Sequence, residues 1–313
     1  MENIDFRAKP SRDAHSGDAM APTQSLASVP SLELFARTEV GCIRERNEDV
    51  FVVANFASGD RGLRPGSRRQ AISEHGTLVG VCDGMGGAAG GQCAAQLAGE
   101  SLYDSLLAAA PFGGSEAIVS GILAAFGHAN ASIRARAERE PALSGMGSTL
   151  TAMVVTGQGA WLGHVGDSRA YLWRSGKLYQ LTRDDSLVSH LVARGQLTPE
   201  EAKVFRYRNV LLQALGVQAQ LSVQIVALRP RNDDVVLLCS DGLTACLDES
   251  AIASGLRGAR DLAVACREFT ERVCALGAPD NVTLALARFS GISETADLAS
   301  LEARDWEFSQ YEV

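Results

Sequence analysis

Several signatures are missing from this chain, and each absence removes a class of function. No C-x-x-C occurs among the seven cysteines, Cys42, Cys82, Cys93, Cys239, Cys246, Cys266 and Cys274. Their odd number and apolar settings suit small buried hydrophobes in a reducing compartment, not a disulfide framework. The five histidines form no H-E-x-x-H, so zinc hydrolysis has no support. No Lys-Ser or Lys-Thr follows a glycine-rich turn, which excludes a P-loop. No apolar run approaches the roughly 18 residues of a membrane span. Positive charge is in deficit as well. A net charge of −8 argues against general binding of nucleic acid or anionic membranes. The opening residues, Met1 to Phe6, lack a basic region followed by an apolar one, so a cytoplasmic location is expected. No internal repeat is present.

What is there is ordinary globular composition. The chain has 313 residues, 46% hydrophobic and 21% charged, enough for a large core. Residues 1–30 are rich in Ser, Ala, Pro, Asp and Arg without apolar periodicity, and a disordered tail is expected there. Ser58–Ser73, dominated by Gly, Arg and Ser, is expected to be unstructured. Residues 292–313 read as an acidic C-terminal tail. From Ser293 on they carry six acids against one Arg, with Trp306 and Phe308 among them, which leaves a docked amphipathic helix as the alternative.

The folded domain is expected over residues 31–291, where the pattern alternates. Short runs rich in Val, Leu and Ala predict strands at 48–56, 77–82, 148–156, 160–165, 169–173, 221–228, 234–240 and 281–289. Helical spacing runs over Gln92–Ala110, Glu116–Glu138, Leu187–Arg194 and Asp261–Leu276. Thr198-Pro199-Glu200-Glu201 is a capping box with Pro at the first helical position. Strands fall in adjacent pairs, not in strict β-α-β alternation. That predicts antiparallel sheets with helices outside, an α+β fold.

Two of the apolar runs end in Asp-Gly, at Asp83-Gly84 and Asp241-Gly242. A buried strand that delivers a carboxylate beside glycine offers a hard oxygen ligand and an unobstructed carbonyl. Mg²⁺ and Mn²⁺ prefer such ligands. Glu48-Asp49, Asp167 and Asp280 sit at the edges of other apolar runs. If these strands share a core, the carboxylates crowd together. Unit charges about 4 Å apart cost on the order of 4 kcal/mol at an effective dielectric near 20. Bound cations or protonation must relieve that crowding. Arg44, four residues before Glu48, adds a guanidinium able to grip phosphate oxygens in bidentate fashion. Together these residues point to a metal-dependent phosphoester hydrolase.

Blander readings compete. Asp-Gly between strands is usually a hairpin turn. Here a glycine-rich stretch and a helix follow Asp83-Gly84, and a helix-like stretch follows Asp241-Gly242, so no strand returns. Gly84-Met-Gly86-Gly-Ala-Ala89 also satisfies the dinucleotide fingerprint. But the acid some 20 residues on, Asp104, falls inside a predicted helix, whereas the ribose carboxylate belongs at the end of a second strand.

Seven segments in order resemble the motifs of the metal-dependent type-2C (PPM) Ser/Thr protein phosphatases in their bacterial form. They are Gly41–Asp49, Val81–Gly87, Gly145–Ala152, Gly163–Tyr171, Leu181–Val188, Leu238–Thr244 and Asp280–Thr283. The resemblance implies a four-layer α-β-β-α sandwich of two mainly antiparallel sheets, with a small flap over about 183–215 that contacts substrate. It implies two Mn²⁺ or Mg²⁺ ions bridged by Asp83, with the Gly84 carbonyl on one and Asp241 and Asp280 on the other. Glu48 and Asp49 would act through metal-bound waters, Asp167 would serve a weak third ion, and Arg44 would hold the phosphate. A metal-bridged water would attack phosphorus in line, and another metal-bound water would protonate the leaving alkoxide. Met85, where eukaryotic relatives carry His, cannot do so. Phosphoproteins modified by a Ser/Thr kinase would be the partners, and the chain would act as a monomer. Ala245, where relatives often carry Asp, bears on the third ion, and Phe205-Arg206 replaces a common His-Pro in the flap. These two departures motivate the alternative of a catalytically weak pseudophosphatase that binds phosphoproteins.

Overall fold

A computed structural model describes residues 29–62, 69–86, 90–292 and 306–313. Their strands form two sheets. One has six strands: β1 (Ser31–Glu39), β4 (Arg69–Ala71), β9 (Arg169–Arg174), β10 (Lys177–Gln180), β12 (Val235–Cys239) and β13 (Val282–Ser290). Their spatial order is β10-β9-β12-β13-β1-β4. The other has eight: β2 (Asp49–Asn55), β3 (Asp60–Arg61), β5 (Thr77–Met85), β6 (Gly147–Ser148), β7 (Leu150–Thr156), β8 (Gly159–Val165), β11 (Ser222–Leu228) and β14 (Trp306–Glu312). These run β14-β11-β8-β7-β5-β2-β3, with β6 paired to β5. Every described pairing is antiparallel. The parallel β-α-β unit that dinucleotide binding needs is therefore not built around Gly84.

Side chains alternate between faces along a strand, so each sheet feeds two cores. Val53, Val79, Val81, Met153 and Val155 point inward and meet Leu34, Leu172, Leu238, Ala285 and Phe289 of the facing sheet. Their alternates Val52, Leu78, Cys82, Ala152 and Val154 pack outward with residues of α1 (Gly90–Ala109) and α2 (Ser115–Arg139). On the far side, Leu237, Cys239, Leu284 and Leu286 pack with residues of α5 (Asp241–Thr244), α6 (Glu249–Arg257) and α7 (Leu262–Ala275). The result is the expected α-β-β-α sandwich. Burial on both faces explains why these strands read as continuous apolar runs. Between β10 and β11 stand α3 (Leu187–Ala193) and α4 (Pro199–Val204), the helices of the expected flap. Thr198 caps α4 through the reciprocal box read from its sequence.

Three expectations need correction. Residues 306–312 form neither a tail nor a helix but the edge strand β14, paired along the whole of β11. One row of backbone groups and a half-wet face suffice to hold such a strand, so its acids face solvent. Within Ser58–Ser73, residues 60–61 and 69–71 are short strands at sheet edges. The Asn55 side chain, which accepts from the backbone N–H groups of Ala57 and Ser58, starts the turn between β2 and β3. Strand β1, not foreseen, forms nine residue pairs with β13. The expected N-terminal tail lies outside the described residues, apart from Val29 and Pro30.

Arg174 and Asp234 form a buried pair between β9 and the start of β12, with Nε–Oδ1 at 2.9 Å and Nη2–Oδ2 at 2.6 Å. Asp234→Ala removes the carboxylate that takes two guanidinium N–H groups and the Arg231 N–H in this buried place, so a loss of about 3 kcal/mol is expected by urea denaturation.

Candidate metal centre

One end of the sandwich gathers the acids. Asp49 opens β2 and Asp83 lies near the end of β5, and the antiparallel register sets them directly opposite each other. Asp241 begins α5 straight after β12, and Asp280 and Asn281 lead into β13. Asp167 occupies the turn between β8 and β9. A cleft of about 630 Å³ opens here, lined by Arg44, Glu48, Asp83, Asp167, Asp241 and Asp280 among others. Asp49 lies beneath the cleft and is buried.

Close backbone approaches explain the two Asp-Gly pairs. A Cβ on Gly84 would stand 2.0 Å from the Gly91 carbonyl oxygen, so only glycine lets the start of α1 abut β5. A Cβ on Gly242 would stand 1.9 Å from the Asn281 carbonyl oxygen. That contact draws the Asp280 loop against Asp241.

Neutral side chains fix the acids. Ser240 Oγ donates to Asp49 Oδ2 at 2.7 Å and accepts from the Thr283 N–H at 3.0 Å. The Asp83 peptide is held from both sides. Its N–H donates to Thr149 Oγ1 at 3.0 Å, while its carbonyl accepts from the Thr149 N–H at 2.8 Å and from Ser148 Oγ at 3.1 Å. Asn281 Oδ1 accepts from the Glu48 N–H at 2.8 Å, and its Nδ2 donates to the carbonyls of Val40 and Arg46. Asp280 Oδ1 accepts from the Asn281 N–H at 2.8 Å, and Oδ2 accepts from Arg44 Nη2 at 2.7 Å. That bond holds the exposed Arg44 guanidinium all the more firmly protonated.

Sequence reasoning brought out the acids and Arg44 but gave no role to Ser148, Thr149, Ser240 or Asn281. Ser240 and Asn281 directly adjoin Asp241 and Asp280, and that adjacency was the available signal, whereas Ser148 and Thr149 reach Asp83 only across the pairing of β5 and β6.

Burial and mutual repulsion push the carboxyl groups upward. Burial is the first cause for Asp49, with repulsion from Asp241 and Asp280 opposed by hydrogen bonds from Ser240 and Thr283, and it titrates near about 7. Burial and the charge of Asp241 bring Asp167 to about 8. Asp83 is held well above the usual carboxylate range by burial and by Asp49, Asp241, Asp167 and Asp280. Asp241 is raised by burial and by Asp280. An oxygen-only, anionic set of this kind suits a hard divalent cation. Among the described residues, no three Asp, Glu, His or Cys side chains form a ready cage. Ions here must complete their shells with carbonyl and water oxygens, as Mg²⁺ commonly does.

Comparison with known proteins agrees with this geometry. The family model described as protein phosphatase 2C matches residues 68–289. The Ser/Thr protein phosphatase PstP of Mycobacterium tuberculosis is 36% identical over 238 residues, which cover 76% of this chain and 45% of that protein. The chain thus spans about half the length of that relative. The Ser/Thr phosphatase stp of Listeria welshimeri is 33% identical over 250 residues, covering 80% of this chain and 93% of that one. A crystal structure of the PstP catalytic domain in complex with two manganese ions superposes with a TM-score of 0.68 at 33% identity, covering 83% of this chain and 99% of that one. The chain belongs to the protein phosphatase 2C family.

The unfolded chain would ionise these acids near pH 4, whereas the folded, metal-free chain keeps some protonated to about pH 8. The folded state thus binds more protons, and the cluster's contribution to stability falls as pH rises across that window. In EDTA at pH 8, Asp83→Asn is expected to raise the melting temperature by roughly 2–4 °C, and by less at pH 5. Mn²⁺ should reverse the order, stabilising the wild type and not the variant. Differential scanning fluorimetry at both pH values checks this.

Proposed function

We propose that this chain is a metal-dependent phosphoserine/phosphothreonine protein phosphatase. The observation that carries the reading is the convergence of Glu48, Asp83, Asp167, Asp241 and Asp280 on one cleft, with the Arg44 guanidinium among them. Asp83, Asp241, Asp280 and the Gly84 carbonyl would hold two Mn²⁺ or Mg²⁺ ions, with Glu48 and Asp49 supporting them. Bound there, the ions would supply Lewis acidity and a nucleophilic water at neutral pH.

The residues' own part follows from charge. Without counter-ions the acids repel a phosphate dianion, so the cleft accepts substrate only when their charge is offset. Arg44 keeps N–H donors beyond the one bound to Asp280, and these can take two phosphate oxygens at once. Asp280 orients that fork. Thr149 and Ser168, whose hydroxyls lie 2.7 Å apart, stiffen the floor beneath Asp83. A neighbouring groove shares Asp167 and Asp241 with the cleft, and Ala245 lines it. With no carboxylate at 245, a third ion would be held weakly.

Phosphoproteins, including a Ser/Thr kinase and its targets, are the proposed substrates, and the proposed setting is a monomer in the cytoplasm. In support, among the described residues no helix is long and apolar enough to cross a membrane, and all seven cysteines are free thiols. The presence of Asp83, Asp241 and Asp280 together with Arg44 in the cleft favours catalysis over the pseudophosphatase alternative.

Mn²⁺-dependent hydrolysis of p-nitrophenyl phosphate and of a phosphothreonine peptide is expected, abolished by EDTA and by Asp83→Asn. Arg44→Ala should lower kcat/KM by about 100-fold, the scale for losing one preorganised donor to the transferring group. Turnover that survives both EDTA and Asp83→Asn would overturn the mechanism.

A further inference from the structure

The edge strand β14 lies beyond the residues matched by the family model, which end at 289. Its pairing with β11 runs from Ser222 opposite Glu312 to Leu228 opposite Trp306. Reciprocal bonds of 2.9 Å between Leu221 and Val313 extend it. Trp306 and Phe308, two residues apart, share one face of this strand. Trp306 packs on Tyr179 with ring centroids 5.2 Å apart. The Phe308 ring lies 4.4 Å from the Arg183 guanidinium carbon, a cation–π contact. Arg183 is the first residue of the flap segment.

Arg183 is also gripped through its backbone, again from the β11 side. Gln224 of β11, buried beside β14, accepts from the Arg183 N–H at 3.0 Å and donates to its carbonyl at 2.6 Å. The same amide donates to Asp185 Oδ1 at 3.2 Å. Asp185 Oδ2 accepts from the Gly166 N–H at 3.1 Å, and the Asp185 N–H donates to the Gly166 carbonyl at 2.7 Å. Gly166 directly precedes Asp167 of the cleft. At the other end of the flap, the Leu187 N–H donates to Val210 and the Leu212 N–H to Asp185. The flap helices bury no residue of their own, so the root sets their position.

We infer that β14 is a positioning strand for the flap, with Phe308 holding Arg183 against the β11 edge so that the flap stands correctly over the cleft for a protein substrate. This rests on the phosphatase reading. Asn209 and Leu211 of the flap segment line the cleft beside the acids and Arg44, so a phosphopeptide larger than a small ester would also meet the flap. Loss of the Phe308 contact should therefore separate the two substrates. A residue that serves stability alone would not do that.

The test compares p-nitrophenyl phosphate with a phosphothreonine peptide in the full chain with Mn²⁺. Phe308→Leu keeps apolar mass but removes the ring, and Phe308→Trp keeps a π face. Phe308→Leu and Arg183→Met are each expected to raise the peptide KM about three- to fivefold, the scale of an exposed cation–π contact, with unchanged kcat and unchanged p-nitrophenyl phosphate kinetics. Phe308→Trp should restore the wild-type KM, and the double variant should be no worse than either single one. Equal effects on both substrates, or a peptide KM that Phe308→Leu does not move, would overturn the inference while leaving the phosphatase reading intact. Failure of the wild type to hydrolyse p-nitrophenyl phosphate would strike at that reading instead.

Discussion

Electrostatic repulsion among carboxylates that the backbone forces together is the constraint on which the rest of this molecule depends. Asp49 and Asp83 are cross-strand partners. Asp241 and Asp280 are pressed together because Gly242 allows backbone contact with Asn281. Left alone, these groups resist ionisation, and burial and mutual charge raise the titration of Asp49, Asp83, Asp167 and Asp241. The sandwich tolerates this because both of its sheets are anchored by large apolar cores. Stability is supplied by the cores, and the concentrated negative field at one end is left to chemistry.

Around that field the neutral side chains act as fixtures. Ser240, Thr149 and Asn281 each hold one acid or the backbone beside one. Arg44 offsets part of the charge through Asp280. Its guanidinium is half exposed, so it can meet a ligand without leaving its partner. On the proposed reading, a bound cation, a phosphate and the guanidinium would form one balance of charge, in which each would bind better when the others are present.

Much of this was legible in the sequence. The strands ending in Asp83 and Asp241 stood out because both of their faces are buried, which gives unbroken apolar runs followed by an abrupt acid. The helices α1, α2 and α7 showed their spacing, and Thr198 announced α4. What escaped was held by other means. Strand β1 alternates buried and half-buried positions across a sheet near its edge, and residues such as Arg37 and Glu39 diluted its signal. Strand β14 has six exposed residues of seven and is held by the backbone of β11, which no composition reveals. The hydroxyl and amide fixtures of the site also lacked a pattern of their own. Ser and Thr beside an acid are common, and only the fold shows which of them reach it.

The pairing of β2 with β5 has a dynamic corollary. Like charges set opposite each other weaken the strand end that carries them. The Asp49–Asp83 end of this ladder is therefore the end most prone to fray when no cation is present, while its distal end near Asn55 and Thr77 stays closed. Amide protons would exchange with solvent along a gradient down these two strands. Ion binding would flatten that gradient, so that loading the cleft would zip the central sheet shut from its acidic edge.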